Sequence, residues 1–437
     1  MTDLRETSFS FKSERSSPSC LGEPRVRPVY RWIFARTLLG FVLSFLSVSM
    51  GANAATGGQS IIPVNSPAFF FSPGNWTGDN GRGGGIYRQT WYPGAYFRVS
   101  WTAASDAPAA ELTLDTTVFG SLKDKPELTY NIDGIWKDRV ACADTIGIEN
   151  LRGNGAHTLT VYVASSSQTE RWGSPGISGL NVVRLTGLTV DAASKPIVAQ
   201  AGYRWALIVG DSITEGSAAD FGRSDNLASW SYFVGQGLRV EGYEYCVSAC
   251  GWSGWLKRGD RPDDVPAYYN LSASINGAGG RYDDSASRWN KIDGNNHSVL
   301  DSTGHVSAFG PAGQEPSCIV INYGTNDVLG NANPSDLQAS VTQCLGALHA
   351  AALRASIFVI VPFGQYGMGS LNAGVAAYQA SHSGDPMVSI IDLGTPVAKA
   401  LEANGYWSGL HPNMRGHATF ASEILAAILS KSAVSGE

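Results

Sequence analysis

The distribution of apolar residues divides the chain into two regions with different periodicities. From Gly57 to about Val190, short apolar or alternating segments rich in β-branched and aromatic residues are separated by Gly, Pro, Asn and Asp. This pattern predicts β-strands at 68–71, 95–101, 111–117, 127–132, 157–163 and 182–190. Many short strands joined by such turns are typical of a β-sandwich or jelly roll.

A second pattern begins after residues 191–196, which we interpret as a linker. Apolar runs at 205–209, 243–249, 318–322, 357–361 and 388–393 now alternate with helical patterns near 230–240, 335–354, 371–380, 396–403 and 414–429. Such alternation predicts a parallel sheet covered by helices on both faces. The segment 256–316 is rich in Gly, Asp, Asn and Ser without a clear period, which indicates a functional loop or lid.

The amino terminus has the order of segments expected of a secretory signal. Basic residues are followed by an apolar run from Thr37 to Met50 and then by Ala52-Asn53-Ala54, which predicts cleavage after Ala54 and a periplasmic or secreted protein. The competing interpretation is an uncleaved anchor, since residues 32–52 could just span a bilayer. No other segment is apolar enough to cross a membrane.

The net charge excludes two classes of partner, and the cysteine spacings argue against a metal site. Residues 1–54 hold seven basic and four acidic residues, so the net charge of −6 becomes −9 once they are removed. A negative surface argues against nucleic acid and anionic membranes as partners. Five cysteines remain, in spacings that do not resemble a metal site; Cys318 and Cys344 could form a disulfide, but packing as small apolar groups is favoured.

Four polar motifs follow predicted strands or precede the last helix. They are Gly210-Asp-Ser-Ile-Thr, Ala249-Cys-Gly-Trp-Ser-Gly254, Tyr323-Gly-Thr-Asn-Asp327 and Gly409-Leu-His-Pro412. Because α/β sheets bind ligands at the carboxyl ends of their strands, the motifs are expected to share one cleft. Pro412 suits the first turn of a helix and would fix His411 at the helix entrance. Taken singly, each motif also fits a turn or a cap.

In this order the four motifs resemble those of the SGNH, or GDSL-like, hydrolase family, over about residues 203–432. The resemblance implies an SGNH hydrolase fold, a flavodoxin-like three-layer α/β fold, with Ser212 as nucleophile and His411 as general base. It also implies an oxyanion hole formed by the N–H groups of Ser212 and Gly254 and the side-chain amide of Asn326. Acyl transfer through these residues needs no metal and no organic cofactor.

The chain departs from this family at the residue that would orient the histidine. The family usually has Asp three residues before the histidine, and here that place is Ser408. A carboxylate holds the imidazole in the useful tautomer and stabilises its charged form. In family members with only a Ser–His dyad, a backbone carbonyl takes this role, and the Ser408 hydroxyl could also accept the ring N–H. The nearest upstream acids, Asp392 and Glu402, lack the family spacing.

We therefore expect a signal peptide at 1–54, a β-sandwich or jelly-roll domain at 55–195, resembling that of certain carbohydrate esterases, and an SGNH hydrolase domain at 196–437. The expected function is an exported serine esterase that removes acyl groups, acetyl being favoured, from a carbohydrate polymer. Trp252 and Trp255 are candidate sugar contacts, with core packing as the alternative. An acyltransferase acting on an extracellular polysaccharide would use the same residues. A non-catalytic polysaccharide-binding or assembly factor would have the same fold without the esterase activity. The sequence leaves the oligomeric state open.

Overall fold

The computed structural model describes residues 58–80, 86–173, 179–260, 265–271, 287–295, 297–300, 315–394, 406–407 and 410–432. Three predicted features lie outside these residues: the signal peptide at 1–54, the helix at 396–403 and the side chain of Ser408. Among the described helices, none is both long enough and apolar enough to cross a lipid bilayer.

Residues 58–197 form two antiparallel sheets. Their strands are β1 (Gln59–Pro63), β2 (Phe69–Phe71), β3 (Thr77–Asn80), β4 (Ile86–Thr90), β5 (Tyr96–Ala103), β6 (Ala110–Leu114), β7 (Glu127–Ile132), β8 (Ile135–Ala141), β9 (Thr145–Gly147), β10 (Gly155–Ser165), β11 (Val183–Asp191) and β12 (Lys195–Ile197). One sheet has the order β3-β4-β11-β6-β9 with β1 beside β11, and the other has the order β12-β5-β10-β7-β8 with β2 beside β5.

Alternation along the strands builds the core of this sandwich. In β10, for example, Leu159, Val161 and Val163 are buried and belong to one large apolar cluster. The same cluster contains Leu112 of β6 and Leu188 of β11 from the other sheet. Apolar side chains at every second residue therefore hold the two sheets together, as the period of two in the sequence predicts.

The remaining residues form a five-stranded parallel sheet with helices. Its strands are β13 (Arg204–Gly210), β14 (Tyr243–Ala249), β15 (Cys318–Asn322), β16 (Ser356–Ile360) and β17 (Val388–Ile391), in the order β14-β13-β15-β16-β17. The helices are α1 (Ser212–Glu215), α2 (Trp230–Val240), α3 (Thr325–Leu329), α4 (Pro334–Ala351), α5 (Met368–Ser381) and α6 (Met414–Ser432), and a short ladder pairs β18 (Tyr406–Trp407) with β19 (His411–Pro412).

Both faces of this sheet are covered. Ala206 and Ile208 of β13 pack in a cluster with residues of α2 and α6, whereas Leu207 and Val209 belong to the cluster that contains residues of α4 and α5. The strand order is that of flavodoxin-like folds, so the predicted three-layer α/β fold preceded by a β-sandwich is confirmed.

The chain leaves the sandwich slightly later than the sequence indicates. The predicted linker at 191–196 includes the end of β11 and the start of β12, and β12 pairs with β5 through Ile197. The five cysteines 142, 246, 250, 318 and 344 are buried and unpaired, which confirms that they pack as apolar groups.

The described parts of the predicted loop at 256–316 are built into the core. The Ile292 carbonyl accepts hydrogen bonds from Trp91 Nε1 at 2.9 Å and from the Tyr92 hydroxyl at 3.0 Å. Tyr268 is fully buried and packs edge-to-face against Trp255. Tyr268 and Ile292 therefore fill space between the sandwich and the parallel sheet and are not part of a lid. Most of the predicted loop, residues 261–264, 272–286, 296 and 301–314, lies outside the described residues.

Candidate active site

Three neighbouring strands bring the sequence motifs together. Gly210, the last residue of β13, is in register with Ala249 at the end of β14 and with Asn322 at the end of β15. The segments that follow these residues therefore begin at one edge of the sheet. The edge between β13 and β15 is also where the strand order reverses, which is the usual ligand position in such sheets.

Ser212 lies at the start of α1, directly after β13. The Asp211 carboxylate caps this helix by accepting the backbone N–H of Ile213 at 3.0 Å. A glycine is required at position 210, because a Cβ there would lie 2.0 Å from Oγ1 of Thr214. This turn fixes the Ser212 side chain at the sheet edge, where it lines a pocket of about 370 Å³.

His411 lies beside Ser212 in the same pocket. Its Nε2 atom is 3.1 Å from the Ser212 Oγ atom, within hydrogen-bond distance. The histidine is on β19, where its backbone lies opposite Trp407 of β18. Burial lowers the pKa of the half-buried His411 ring, so the ring is neutral and able to accept a proton near neutral pH.

The surroundings of His411 differ from the sequence expectation. Helix α6 begins at Met414, so the prediction that Pro412 lies in its first turn is wrong. The cap is instead Asn413, whose Oδ1 accepts the N–H of Gly416 at 3.1 Å, because Pro412 is held in the β18–β19 ladder. Of the two upstream acids, Asp392 bonds the side chain of Gln365 and the N–H of Gly394, and Glu402 lies outside the described residues.

Asn326, on α3, reaches the same pocket. Its Nδ2 atom donates to the Ser253 carbonyl at 2.9 Å and to Asp211 Oδ2 at 3.3 Å. Burial, together with the nearby carboxylates of Glu215 and Asp327, raises the pKa of Asp211 to about 7. The side-chain amide is thus held between the nucleophile turn and the segment after β14.

Gly254 is not brought into the pocket. Its N–H donates to the Lys257 carbonyl at 2.9 Å. A Cβ at this position would lie 2.2 Å from the Asp327 carboxylate, which accepts the N–H groups of Trp255, Leu256 and Lys257. The glycine is therefore required by the close approach of Asp327.

The two candidate tryptophans occupy different environments. Trp252 lines the pocket with 41% of its surface exposed. Trp255 is fully buried and packs against Tyr268 and Tyr323. The suggestion that Trp255 contacts a sugar is therefore corrected: it is a core residue, and only Trp252 presents a ring to the pocket.

Residues 208–419 match the sequence model of the GDSL-like lipase/acylhydrolase family. This part of the chain belongs to that family. The acylhydrolase domain is that of a hydrolase acting on ester bonds, in agreement with the Ser212–His411 geometry. A comparison with curated protein sequences finds no match.

Solved structures extend the similarity to the β-sandwich. The chain is similar to a family two carbohydrate esterase from Cellvibrio japonicus, with a TM-score of 0.60, 14% identity, and 86% of this chain and 98% of that chain covered. An acetyl xylan esterase from Butyrivibrio proteoclasticus has a TM-score of 0.59 and 14% identity, with 87% of this chain and 100% of that chain covered. A family two carbohydrate esterase from Clostridium thermocellum, solved with cellohexaose, has a TM-score of 0.58 and 15% identity, with 84% of this chain and 99% of that chain covered. At these identities the likeness establishes a shared two-part fold.

A buried ionic cluster behind the acylhydrolase site was missed by sequence reasoning. Arg171, from the sandwich, lies 2.6 Å from both the Glu215 and the Asp260 carboxylates, and all three side chains are buried. Glu215 also accepts the N–H of Gly251 at 3.0 Å and a hydrogen bond from Gln168. The cluster therefore links the nucleophile helix, the segment after β14 and the sandwich.

No signal in the sequence joins these residues, because Arg171 is 44 positions from Glu215 and 89 from Asp260. Within the described part of the chain, no group of three His, Cys, Asp or Glu side chains is arranged to hold a metal ion.

Proposed function

We propose that the protein is an exported esterase that removes acetyl groups from a carbohydrate polymer. The observation that carries this proposal is the 3.1 Å approach of Ser212 Oγ and His411 Nε2 in the pocket of an acylhydrolase domain. A serine is a weak nucleophile unless a base takes its proton, and a neutral imidazole at hydrogen-bond distance supplies that base.

In the proposed reaction, Ser212 Oγ attacks the ester carbonyl carbon while its proton moves to His411 Nε2. The resulting imidazolium then gives the proton to the departing sugar hydroxyl, which leaves an acetyl-serine. Water, deprotonated by the same ring, then attacks this ester. Acetate is released, and the proton on the ring returns to Ser212 Oγ, which restores the neutral histidine. The lowered pKa of His411 favours the neutral ring that both attacks require.

We assign the oxyanion hole to the Ser212 N–H and the Asn326 amide. Ser212 is the first residue of α1, and the N–H groups of a first helical turn have no acceptor within the helix. One Asn326 hydrogen is held by Ser253, while the longer 3.3 Å bond to Asp211 is free to shift towards a developing negative charge. The predicted Gly254 donor would first have to give up its bond to Lys257.

The pocket lining supports a hydrophilic substrate. Besides Ser212 it includes five serines, whereas its aliphatic side chains are confined to Leu329, Leu410, Ala218 and Pro93. Hydroxyl groups match the donors and acceptors of a sugar better than a long acyl chain. The similar structures include an acetyl xylan esterase and an esterase solved with cellohexaose, which supports the same choice. The exposed ring of Trp252 offers a surface on which a sugar could stack.

Export rests on the basic, apolar and small-residue segments that precede residue 55. Polymeric carbohydrates are met outside the cytoplasm, so the proposed location and the proposed substrate agree. Amino-terminal sequencing of the exported protein should find Ala55 first, and a retained segment at 30–50 would indicate a membrane anchor instead.

The test is acetate release from acetylated xylan by the purified protein, beside the Ser212→Ala variant. The wild type should release acetate and hydrolyse p-nitrophenyl acetate, and the folded variant should do neither. Binding to the polymer without either hydrolysis would replace the proposal with a non-catalytic binding role. Acetyl transfer to an added sugar in preference to water would identify an acyltransferase.

A further inference from the structure

A second open cavity, of about 520 Å³, adjoins the catalytic pocket. The two share four lining residues, which are Ser165, Ser166, Ser167 and Ser224. The first three lie at and just after the end of β10, on the sandwich, and Ser224 lies between α1 and α2. A ligand in the catalytic pocket can therefore extend over these serines onto the sandwich.

The lining of the second cavity differs from that of an ordinary sugar site. Its ten described lining residues include no aromatic side chain and a single aliphatic one, Ala141. Ligand pockets are usually lined mainly by apolar and aromatic side chains, which cover the apolar faces of a sugar ring. Here the surface consists of hydroxyl groups and charges, so recognition must rest on hydrogen bonds and electrostatics.

The charged residues of this cavity have a small positive excess. Lys123, Lys125 and Arg139 face two acids, Asp124 and Glu127. The chain as a whole carries a net charge of −6, so a local positive excess runs against the average of the surface. Both lysines are exposed, and neither forms an ion pair with another described residue. The Lys123 ammonium is therefore available to a ligand, and the Lys125 ammonium, 5.7 Å from the centre of the Phe119 ring, belongs to an exposed side chain that a ligand can also reach.

Arg139 has a different role, because its charge is already balanced. Its guanidinium pairs with the Glu127 carboxylate and lies 3.3 Å from Asp225, while Nη1 donates to the Ser224 carbonyl at 2.9 Å. Its backbone is in the left-handed region, with φ of +47°, beside a β-bulge between β7 and β8. Arg139 thus joins the sandwich to the segment that contains Ser224. The two lysines, opposed in the cavity by Asp124, leave one positive charge unbalanced.

We infer that this cavity is a subsite for a carboxylate-bearing sugar, a uronate residue of the same polymer whose acetyl ester reaches Ser212. The inference rests on the proposed esterase function, and it names the substrate as an acidic polysaccharide. A uronate offers ring hydroxyls to Ser165–Ser167 and Ser224, and its carboxylate forms charge-assisted hydrogen bonds with Lys123 and Lys125.

Binding by calorimetry tests the subsite without requiring turnover. The probes are unacetylated tetramers of galacturonate, glucuronate and mannuronate, compared with xylotetraose and with a sulfated oligosaccharide, at low and high salt. At least one uronate tetramer should bind more tightly than xylotetraose, and its affinity should fall as salt rises. The double variant Lys123→Ala/Lys125→Ala should weaken this binding by about twofold to thirtyfold, since each exposed charge pair contributes about 0.2–1 kcal/mol.

Lys195→Ala is the matched control, because Lys195 is an exposed lysine on β12 of the same sandwich and does not line either cavity. Its uronate affinity should equal that of the wild type. Equal binding of all uronates and xylotetraose, or an undiminished affinity in the folded double variant, would overturn the inference. So would equally tight binding of the sulfated probe, which would indicate charge attraction without carboxylate recognition. Hydrolysis of p-nitrophenyl acetate reports separately on the esterase function.

Discussion

The two members of the Ser212–His411 pair are held by very different surroundings. Ser212 lies on a turn whose flanking acids, Asp211 and Glu215, are buried and bonded to segments far away in the chain. His411 lies on a two-residue strand, and among the described residues the only hydrogen-bond partner of its ring is Ser212. The nucleophile is thus positioned by the core of the molecule, whereas the base depends on a short local ladder.

This difference predicts which substitutions affect chemistry alone and which also affect folding. Changes around Ser212 disturb a network that joins the sandwich to the acylhydrolase domain. Changes around His411 alter the base and leave that network intact. Single substitutions at the two positions and around them can therefore separate the two kinds of effect.

Ser212→Ala and His411→Ala should each lower turnover of p-nitrophenyl acetate by about 10³-fold or more, because nucleophile and base act as a unit. Both variants should keep the wild-type melting temperature within a few degrees, since neither side chain is part of the buried cluster. If the folded His411→Ala variant kept most of the esterase activity, the assignment of Ser212 and His411 as a catalytic dyad would be wrong.

Arg171→Met should destabilise the protein by about 3–5 kcal/mol, because two buried carboxylates lose their cation. Urea unfolding measures this loss, and kcat of the folded fraction should fall as well. Arg98→Met is the matched control: Arg98 also joins the sandwich to the parallel sheet, pairing with Glu244 at 2.6 Å near the start of β14, away from the site. It should lower stability and leave kcat unchanged. If kcat were the same in both variants, the Arg171 cluster would have no role in catalysis.

Asn326→Ala should lower kcat by about 10²–10³-fold with little change in KM, since an oxyanion donor acts mainly in the transition state. Steady-state kinetics on p-nitrophenyl acetate measure the two constants. Asn333→Ala, which removes the exposed cap of α4, should leave both constants unchanged. A rise in KM alone for Asn326→Ala would argue for substrate binding in place of oxyanion stabilisation.

Ser408→Ala tests how the base is oriented. A loss below about tenfold is expected if a backbone carbonyl accepts the ring N–H of His411. A larger loss is expected if the Ser408 hydroxyl does so, because an unpaired buried N–H costs about 1–3 kcal/mol. Ser408→Asp should raise activity only if that position lies within hydrogen-bond reach of the ring.

The pH profile gives the smallest but most direct test of the local environment of the base. Burial lowers the pKa of His411 from its usual value of 6.5, so kcat/KM should be constant at neutral pH and fall as pH drops through a pKa below 6.5. A neighbouring carboxylate would stabilise the imidazolium and raise that pKa. If kcat/KM instead fell with a pKa above 6.5, an acidic side chain beside His411 would be indicated.

The strands and helices that the sequence predicted best are those whose side chains are buried. β7, β14, β15 and α2 have the predicted bounds, because a buried element carries its own apolar period. The strands that were missed, such as β3, with the sequence TGDN, and the largely exposed β8, have no such period. Hydrogen bonds to neighbouring strands hold them, and those neighbours are far away in the sequence.

Sequence motifs alone determined that Ser212, His411 and Asn326 belong to one cleft, because each follows or precedes an element whose position in an α/β sheet is fixed by topology. The other features depend on contacts between segments that are distant in the sequence. The tertiary structure placed Trp255 in the core and Trp252 in the pocket, although the two are three residues apart. It also joined Arg171 to Glu215 and Asp260. Burial and charge pairing depend on contacts between segments that are distant in the sequence. The periodic pattern of apolar residues along the sequence reports only on local structure.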